Sequence, residues 1–363
     1  MIIDLIAGAR PNFMKIAPLL EALRLKANEG VSISFRLIHT GQHYDRNMSE
    51  SFFEQLGIPT PDFNLGAGGG TQAEQTAKIM VEYEKVLQTK RIDLCLVVGD
   101  VTSTMACSIV AKKLNIQVAH VEAGIRSGDL TMPEEINRIV TDSITDYFFV
   151  TTEIAQRNLL KLGVNPDRIY FVGNTMIDTL LKQRPYFKKP AVWQTANLID
   201  KGYFVLTLHR PANVDDELKF TSLLKEIIES AGKLPIIFPV HPRTKRMLDG
   251  LSMSFPNFIV IEPLGYLEFN YLVERAQAVI TDSGGITEET TVMGVPCLTL
   301  RDTTERPETI TVGTNELVGT KIDRIKPYIK KVIEGRWKKG SIPDLWDGQA
   351  AKRIVDILIK ELN

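Results

Sequence analysis

The stretch Ala278–Glu289 has the residue types of an anion-binding turn. Its short apolar run predicts a buried parallel strand, and Ser283 is placed to cap a following helix. Gly284-Gly285 lets a ligand approach the backbone, where the N–H groups at the start of a helix suit a phosphate or diphosphate. About one turn later, Glu288 or Glu289 could accept hydrogen bonds from ribose hydroxyls. Helix-capping chemistry alone would explain the same residues, and that alternative stays open at this point.

Polar side chains also follow other apolar runs directly, at the points where predicted strands end. They are Arg10 and Lys15 after the first run, Asp100 after 94–98, Glu122 after 117–121, His209 after 203–208, His241 after 235–239 and the segment 301–306 after 296–300. Ligands of doubly wound sheets lie outside the carboxyl ends of the strands, so this distribution favours a binding site. Glu122 is the strongest single indication, because a carboxylate that continues an apolar strand is costly to bury without a partner.

Each of these residues also has a purely structural interpretation. Asp100 could cap a helix. Glu134 and Arg138, spaced i,i+4 in a segment that begins like a helix with an early proline, could form a surface ion pair. His209 could be a satisfied core histidine, and His241, flanked by prolines, is better explained by structure. The joint occurrence of these groups at strand ends is what favours function.

The elements that must position these residues alternate between apolar runs and helical or loop-bearing stretches. Predicted strands lie at Ile2–Ala7, near 33–39, 94–98, 117–121, 147–151 and 169–172, and then at Tyr203–Leu208, Pro235–Pro239, Phe258–Ile261, Ala278–Thr281, Pro296–Leu300 and Glu316–Gly319. This alternation predicts an α/β fold with two parallel, doubly wound sheets. A Pro- and Lys-containing stretch between Lys182 and Lys201 is interpreted as the connection between two domains that face a cleft.

Composition narrows the functional classes. The 363 residues are 44% apolar and 24% charged, which is typical of a soluble globular protein with room for two domains. The formal charge is −1 with dispersed basic residues, so neither a nucleic-acid partner nor a membrane surface is expected. Three cysteines in apolar surroundings, Cys95, Cys107 and Cys297, predict reduced core thiols in a cytoplasmic protein rather than disulfides or structural zinc. No basic leader, membrane-length apolar run or metal-ligand cluster is apparent.

A set of ordered motifs covers almost the whole chain. They are Gly8-Ala-Arg-Pro-x-x-x-Lys15, Gly41-Gln-His43, Gly99-Asp100, His120-Val-Glu-Ala-Gly124, Pro133-Glu-Glu-x-Asn-Arg138, Gly173-Asn-Thr175, His209-Arg210, Pro239-Val-His241, Thr281-Asp-Ser-Gly-Gly285 and Arg301-Asp-Thr-Thr-Glu-Arg-Pro-Glu308. In this order and spacing the chain resembles the UDP-N-acetylglucosamine 2-epimerases, and within them the non-hydrolysing bacterial and archaeal branch.

The resemblance implies a glycosyltransferase-B-like architecture of two Rossmann-like domains, residues 1–182 and a UDP-binding domain at 183–347. A C-terminal helix at about 348–363 is expected to pack back on the first domain. The resemblance also implies a homodimer that binds a UDP-sugar, needs neither a cofactor nor a metal, and supplies polysaccharide biosynthesis.

By motif, the expected site residues fall into three groups. Asp100, Glu122 and Glu134 are the acids expected to move protons, with His209 near the leaving group. The diphosphate is assigned to Ser283, Gly284 and Gly285, and the ribose to Glu289. Arg10 and Lys15 are expected to stabilise the departing diphosphate, and Arg138 and His241 complete the expected UDP-sugar-binding set.

The reaction that the resemblance implies inverts C2 of a UDP-2-acetamido sugar by eliminating UDP and adding it back to a 2-acetamidoglucal. Which acid is the base stays open. The sequence of Gly41–Ser49 also resembles that of epimerases acting on UDP-2,3-diacetamido-glucuronate. The extra carboxylate of that substrate would require a nearby cation, such as Arg46, Arg126 or Arg210. Further alternatives are a hydrolysing 2-epimerase that releases UDP and N-acetylmannosamine, a glycosyltransferase, and a binding module without turnover. In many bacterial members of the family that the chain resembles, a similar segment helps to bind a second UDP-N-acetylglucosamine, which activates the enzyme. Gln42 and His43 match that segment, but the residues after them differ, so allosteric activation of this protein stays open.

Overall fold

The computed structural model describes residues 1–42, 53, 55–240, 244, 245, 248 and 255–362. The chain divides into two compact units. Unit 1 comprises Met1–Lys182 and Asp344–Asn363, and unit 2 comprises Gln183–Pro343.

The strands of both units match the predicted apolar runs to within a few residues. They are β1 Ile2–Ala7, β2 Ser34–His39, β3 Phe63–Asn64, β4 Leu94–Val98, β5 Gln117–Val121, β6 Tyr147–Val150, β7 Ile169–Phe171, β8 Phe204–Thr207, β9 Ile236–Pro239, β10 Phe258–Ile261, β11 Ala278–Thr281, β12 Cys297–Thr299 and β13 Asn315–Leu317. Only β3 has no counterpart in the sequence-based prediction. It is two residues long and pairs only with the last two residues of β2, so it has no apolar run to reveal it.

The α-helices described alternate with these strands. They are α1 Arg10–Asn28, α2 Gln72–Thr89, α3 Thr102–Lys113, α4 Pro133–Ile144, α5 Glu153–Lys161, α6 Thr175–Gln183, α7 Ala191–Thr195, α8 Pro211–Val214, α9 Glu217–Ala231, α10 Tyr266–Arg275, α11 Gly284–Met293, α12 Pro307–Thr311, α13 Ile325–Ile333 and α14 Ala350–Leu362. Local sequence explains several of their ends. Thr71 and Glu74 form a capping box at the start of α2, and α4 begins at Pro133 with acids in its first turn.

Both sheets are entirely parallel, and each reverses its strand order once. The order in unit 1 is β3-β2-β1-β4-β5-β6-β7, and that in unit 2 is β10-β9-β8-β11-β12-β13. All five residues of Leu94–Val98 are buried, as expected for a strand covered by helices on both faces. The expected α/β class with two Rossmann-like sheets is therefore confirmed. The reversal points lie between β1 and β4 and between β8 and β11, where such folds bind ligands.

The C-terminal segment belongs to unit 1. Asp178 on α6 accepts the N–H groups of Ala350 and Ala351, at 3.1 and 2.7 Å, and so caps α14. The indole of Trp346 donates to the carbonyl of Thr151 at 3.1 Å. Burial raises the pKa of Asp178 to about 6, although the two N–H groups act in the opposite direction.

The stretch interpreted as a connection, 182–201, has more structure than its weak periodicity indicated. It contains a 3₁₀ turn at Arg184–Tyr186 and helix α7, whose Val192 packs with Leu198 and Tyr203 in the core of unit 2. The prolines of this stretch stand at the starts of these two elements. Because the elements are so short, they show no apolar periodicity in the sequence.

All three cysteines are free and fully buried, as predicted. Desolvation raises the pKa of each thiol, that of Cys297 to about 12. Across the described ranges, none of the helices is both long and apolar enough to cross a membrane.

Candidate active site

The turn that follows β4 carries Asp100 and is held by side chains at three successive carbonyls. Asn12 donates to the Val98 carbonyl at 2.9 Å, the ring of His120 contacts the Gly99 carbonyl at 2.8 Å, and Asn137 donates to the Asp100 carbonyl at 2.9 Å. Gly99 has φ +71°, a backbone conformation that glycine adopts without strain. The backbone that presents Asp100 is therefore fixed from several elements.

The side chain of Asp100 is fixed by Arg138 on α4. The guanidinium, only 3% exposed, contacts the Asp100 carboxylate at 2.5 Å and the Glu135 carboxylate at 2.8 Å. The interpretation of Asp100 as a helix cap is therefore wrong, since Val101 occupies the cap position of α3 and Asp100 is engaged elsewhere.

The two neighbouring glutamates of α4 have different environments. Glu135 is buried, accepts the N–H groups of Ser127 and Gly128, and pairs with Arg138 three positions later. Burial alone would raise the pKa of Glu135, but these N–H groups and Arg138 lower it below the usual value. Glu134 is exposed in the first turn of the helix. Arg138 is thus a buried residue bound to Glu135 and Asp100, not half of a surface pair.

Glu122 follows β5 in a strained backbone conformation. Its φ is +72°, in the left-handed region that a side-chain-bearing residue rarely adopts, at a cost of about 1–3 kcal/mol. Its carboxylate is buried and contacts the ammonium of Lys15 on α1 at 2.7 Å. The expected partner of a buried strand-end carboxylate is thus Lys15. Strain of this kind is concentrated at functional sites, where surrounding contacts maintain it.

The start of α1 lies close to the turn after β4. Gly8 leaves no room for a side chain, since an added Cβ would lie 2.6 Å from the Cβ of Ser103. Lys15 approaches the same region, because its ammonium lies 3.3 Å from where a Cβ on Gly99 would be. Arg10 is the first residue of α1. The strand ends of unit 1 therefore bring Asp100, Glu122 and Lys15 together.

In unit 2, His209 follows β8 and contacts Asp282, which follows β11. The Nδ1 atom of the His209 ring lies 2.7 Å from the Asp282 carboxylate, and 62% of the His209 side chain is exposed. The alternative of a core histidine is therefore wrong. Asp282 is fully buried and also accepts the N–H group of Arg210 at 2.9 Å and the Asn213 amide at 3.1 Å. Burial would raise its pKa, but His209 and these donors lower it.

Ser283 occupies the cap position of α11, but its hydroxyl makes no capping hydrogen bond within the described structure. Its N–H donates to Thr281 Oγ1 at 3.0 Å. A carboxylate oxygen of Glu305 lies 2.8 Å from where a Cβ on Gly284 would be, and Glu305 is held by Arg301 at 2.6 Å. Burial alone would raise the pKa of Glu305, but the arginine lowers it to about 2. A carboxylate that is paired with Arg301 therefore lies beside the start of this helix.

The two glutamates in the middle of α11 have different partners. Glu288 pairs with Arg306 at 3.0 Å. Glu289 is buried and accepts the Tyr266 hydroxyl of α10 at 2.8 Å. Burial raises the pKa of Glu289 to about 7, although the Tyr266 hydrogen bond acts in the opposite direction. The carboxyl group of Glu289 is therefore buried beside a hydroxyl group, whereas that of Glu288 is paired with an arginine.

Some predicted residues lie outside what can be described. His241, His43 and Arg46 fall outside the described residues, and of Arg10 only the backbone is described. Within the described ranges no group of three or more His, Cys, Asp or Glu residues could hold a metal ion.

Sequence reasoning missed the residues that hold the acids in place. They are Asn12, Asn137, Asp142, Tyr266 and Asp282. Asn137 and Asp282 lie inside the family motifs, so their positions could have indicated a role in the site. Asn12 and Tyr266 lie in the first turns of α1 and α10, and Asp142 lies further along α4; at these positions an isolated polar residue in the sequence does not indicate a long-range partner.

Comparison with known proteins identifies the family. A family model described as UDP-N-acetylglucosamine 2-epimerase matches residues 24–359. The UDP-N-acetylglucosamine 2-epimerase of Methanocaldococcus jannaschii is 43% identical over 371 residues, covering 99% of both chains. The UDP-2,3-diacetamido-2,3-dideoxy-D-glucuronate 2-epimerase of Pseudomonas aeruginosa is 39% identical over 358 residues, covering 98% of both.

A solved structure agrees with this result. The crystal structure of the M. jannaschii enzyme in complex with UDP-GlcNAc and UDP superposes with a TM-score of 0.87 at 42% identity, covering 99% of this chain and 100% of that one. The fold is glycosyltransferase-B-like, as in this relative. The chain belongs to the UDP-N-acetylglucosamine 2-epimerase family of isomerases.

Proposed function

We propose that this protein is a non-hydrolysing epimerase that converts UDP-N-acetylglucosamine into UDP-N-acetylmannosamine by inverting C2. The observation that carries the proposal is the pair of carboxylates at the ends of adjacent strands in unit 1. Asp100 and Glu122 each lie beside a cation, Arg138 and Lys15 respectively. Two positioned acids are what a reaction needs when a proton leaves one face of a carbon and another proton arrives on the opposite face.

The chemistry balances without a redox partner. A carboxylate takes the proton from C2, the C2–H electron pair forms a C1–C2 double bond, and the bond from C1 to the diphosphate oxygen breaks. UDP then adds back to C1 of the 2-acetamidoglucal while a second acid delivers a proton to the other face of C2. We assign these proton transfers to Asp100, Glu122 and Glu134 and leave open which of them is the base.

The departing diphosphate requires positive groups that act where charge develops. We assign this role to Arg10, Lys15 and His209, with the diphosphate on Ser283 and the two glycines that begin α11. The Ser283 hydroxyl, without a capping bond in the described structure, and the amide-rich helix start support this assignment. Glu289 is assigned to the ribose, and Arg138 and His241 to substrate binding.

The choice of substrate rests on the available cations. The P. aeruginosa relative is named for a uronate with an additional carboxylate, so that substrate is the alternative. Of the three arginines that could face such a group, Arg46 lies outside the described residues, Arg126 contacts Asp142 at 2.7 Å, and Arg210 donates to the Asp282 carbonyl at 3.1 Å. Because Arg126 and Arg210 already make these contacts, and because the more similar relative is named for UDP-N-acetylglucosamine, we favour UDP-N-acetylglucosamine as the substrate.

Three finer features belong to the same proposal. We expect a homodimer, a cytoplasmic location and a product consumed in polysaccharide biosynthesis. Exposed apolar side chains of α4, Ile136 at 48% and Ile139 at 39%, are consistent with a covered surface in an oligomer. Buried reduced cysteines are consistent with the location.

Incubation with UDP-N-acetylglucosamine in D2O, followed by NMR, tests the proposal. A UDP-linked manno product with deuterium at C2 is the expected result. Free UDP together with free N-acetylmannosamine would identify a hydrolysing epimerase instead. Parallel incubation with UDP-2,3-diacetamido-glucuronate ranks the two substrates by kcat/KM, and absence of C2 exchange with either sugar would refute the epimerase assignment.

A further inference from the structure

A fully buried histidine connects the two turns that carry Asp100 and Glu122. His120 lies on β5 and is 0% exposed. Its Nδ1 atom lies 2.7 Å from a carboxylate oxygen of Asp142 on α4, and its Nε2 atom lies 2.8 Å from the carbonyl oxygen of Gly99. It is the first residue of the sequence motif His120–Gly124.

Both contacts require the ring to donate. A backbone carbonyl can only accept, and an ionised carboxylate can only accept. Asp142 also contacts the Arg126 guanidinium at 2.7 Å and accepts the Gly124 N–H at 3.0 Å, contacts that favour the ionised carboxylate. Burial alone would raise the pKa of Asp142, but His120 and Arg126 lower it. A neutral imidazole has one N–H group and could make only one of the two hydrogen bonds.

The bridge acts on the backbone beside both acids. The Gly99 carbonyl belongs to the peptide that leads into Asp100, and Gly124 follows two residues after the strained Glu122. Asp142 thus holds one turn directly and the other through the histidine ring. Removing the ring would leave the Gly99 carbonyl without this donor and let the peptide rotate.

We propose that His120 is a positioning residue: a doubly protonated ring, paired with Asp142, that fixes the Gly99 carbonyl and thereby the direction of the Asp100 carboxylate. The catalytic consequence rests on the proposed epimerase function. The bridge itself does not, so the two can be tested separately.

The protonation of the ring is measured by NMR of the full-length protein with 15N-labelled histidine. The chain has five histidines, and the signal absent from His120→Phe identifies His120. In the wild type at neutral pH, both ring nitrogens are expected to carry protons. In Asp142→Asn, the amide can donate to Nδ1, so the ring is expected to become the neutral tautomer with the proton on Nε2. A single-proton ring in the wild type would overturn the proposal.

The positioning role is measured by kinetics. His120→Phe should lower kcat on the order of 10²-fold, the scale of a small misplacement of a reacting group. KM and the affinity for UDP should change by no more than about twofold, since most of the groups assigned to UDP lie in unit 2. Asp146→Asn is the matched control, because Asp146 accepts the Val118 N–H at the opposite end of β5 and should leave kcat unchanged.

The outcomes separate the two hypotheses. Wild-type kcat in His120→Phe would refute the positioning role, as would an equal loss of UDP affinity. If His120→Phe fails to fold, kcat in Asp142→Asn tests the positioning role instead, and the ring spectrum of the wild type tests whether the ring is doubly protonated. If the wild type turns over neither UDP-sugar, the proposed function fails, and the spectra of the wild type and Asp142→Asn still decide whether the bridge exists.

Discussion

The three assigned acids differ in the charge around them. Asp100 and Glu122 each contact a buried cation, whereas Glu134 is exposed in the first turn of α4. These cations hold the two carboxylates in one orientation, and in the proposed reaction they would also supply positive charge near the departing diphosphate. No salt bridge restrains the Glu134 side chain within the described residues, so we expect it to be free to adjust to a substrate in the proposed reaction.

Replacing Asp100 by Asn should lower kcat by orders of magnitude, because the amide cannot exchange a proton with C2. The Arg138 contact would be weakened but the fold retained. UDP affinity, measured by calorimetry, should remain within about threefold of the wild type, since Asp100 is not assigned to UDP and most of the groups that are assigned to it lie in unit 2. An equal fall in UDP affinity would show that this assignment is wrong.

Glu134 and its neighbour Glu135 form a matched pair for mutagenesis. Glu134→Gln should lower kcat and leave the melting temperature unchanged, since the side chain is exposed. Glu135→Gln should lower the melting temperature, because it removes charge from a carboxylate that holds two backbone N–H groups and Arg138.

The melting temperatures and kcat values of the two variants are read together. If Glu134→Gln melted early while Glu135→Gln remained stable, the roles given to these neighbours would be reversed.

At the scale of elements, one helix serves both acid-bearing turns of unit 1. Asn137 and Arg138 on α4 hold the main chain and side chain of Asp100, and Asp142, one turn later, holds Gly124. These three side chains share the buried side of the helix. A shift of α4 would therefore move both turns together, which makes the relative position of the two acids less sensitive to small motions.

In unit 2, Tyr266 on α10 influences the pKa of Glu289 on α11. Burial raises the pKa of Glu289 to about 7, and the carboxylate form is the better acceptor for ribose hydroxyls. UDP affinity should therefore fall as the pH drops below about 7, by up to about tenfold per pH unit. Tyr266→Phe removes a hydrogen bond that favours the carboxylate, so the midpoint of this dependence should move to higher pH.

Calorimetric titrations of UDP between pH 5.5 and 8.5 measure both curves. Tyr271→Phe is the control, because Tyr271 lies on the same helix and stacks on Arg275. A downward shift in Tyr266→Phe would contradict the assigned direction.

At the scale of the molecule, the cap of α14 makes the stability of unit 1 depend on pH. Asp178 has a folded-state pKa raised from 3.8 to about 6, so between these values the folded chain keeps a proton that the unfolded chain has lost. Unfolding then releases a proton, and stability falls as the pH rises through this window. The contribution is on the order of 1–3 kcal/mol.

Urea denaturation of the wild type and Asp178→Asn at pH 4.5 and 7.5 tests this dependence. The wild type should lose more free energy of unfolding between the two pH values than the variant does. Equal slopes would show that Asp178 does not titrate in this range.

The sequence allows the architecture to be predicted, but not the choice between neighbouring polar residues. Apolar runs are long enough to identify nearly every strand, and the polar residues that follow them make Asp100, Glu122 and His209 candidates for a site. Pattern alone cannot tell which of two adjacent glutamates is buried, because Glu134 and Glu135 are equally compatible with a first helical turn. Long-range pairs such as His120–Asp142 depend on how α4 lies against the sheet, which local residue order does not encode.

The burial of every cysteine has a practical consequence. Because all three thiols are inaccessible and their pKa values are raised, alkylating reagents have no native target until the chain unfolds. A cysteine introduced at an exposed position of each unit, for example at Lys161 and Glu229, can then be labelled without first removing the native ones. A fluorophore attached at either position would then report on UDP binding without signal from the native cysteines.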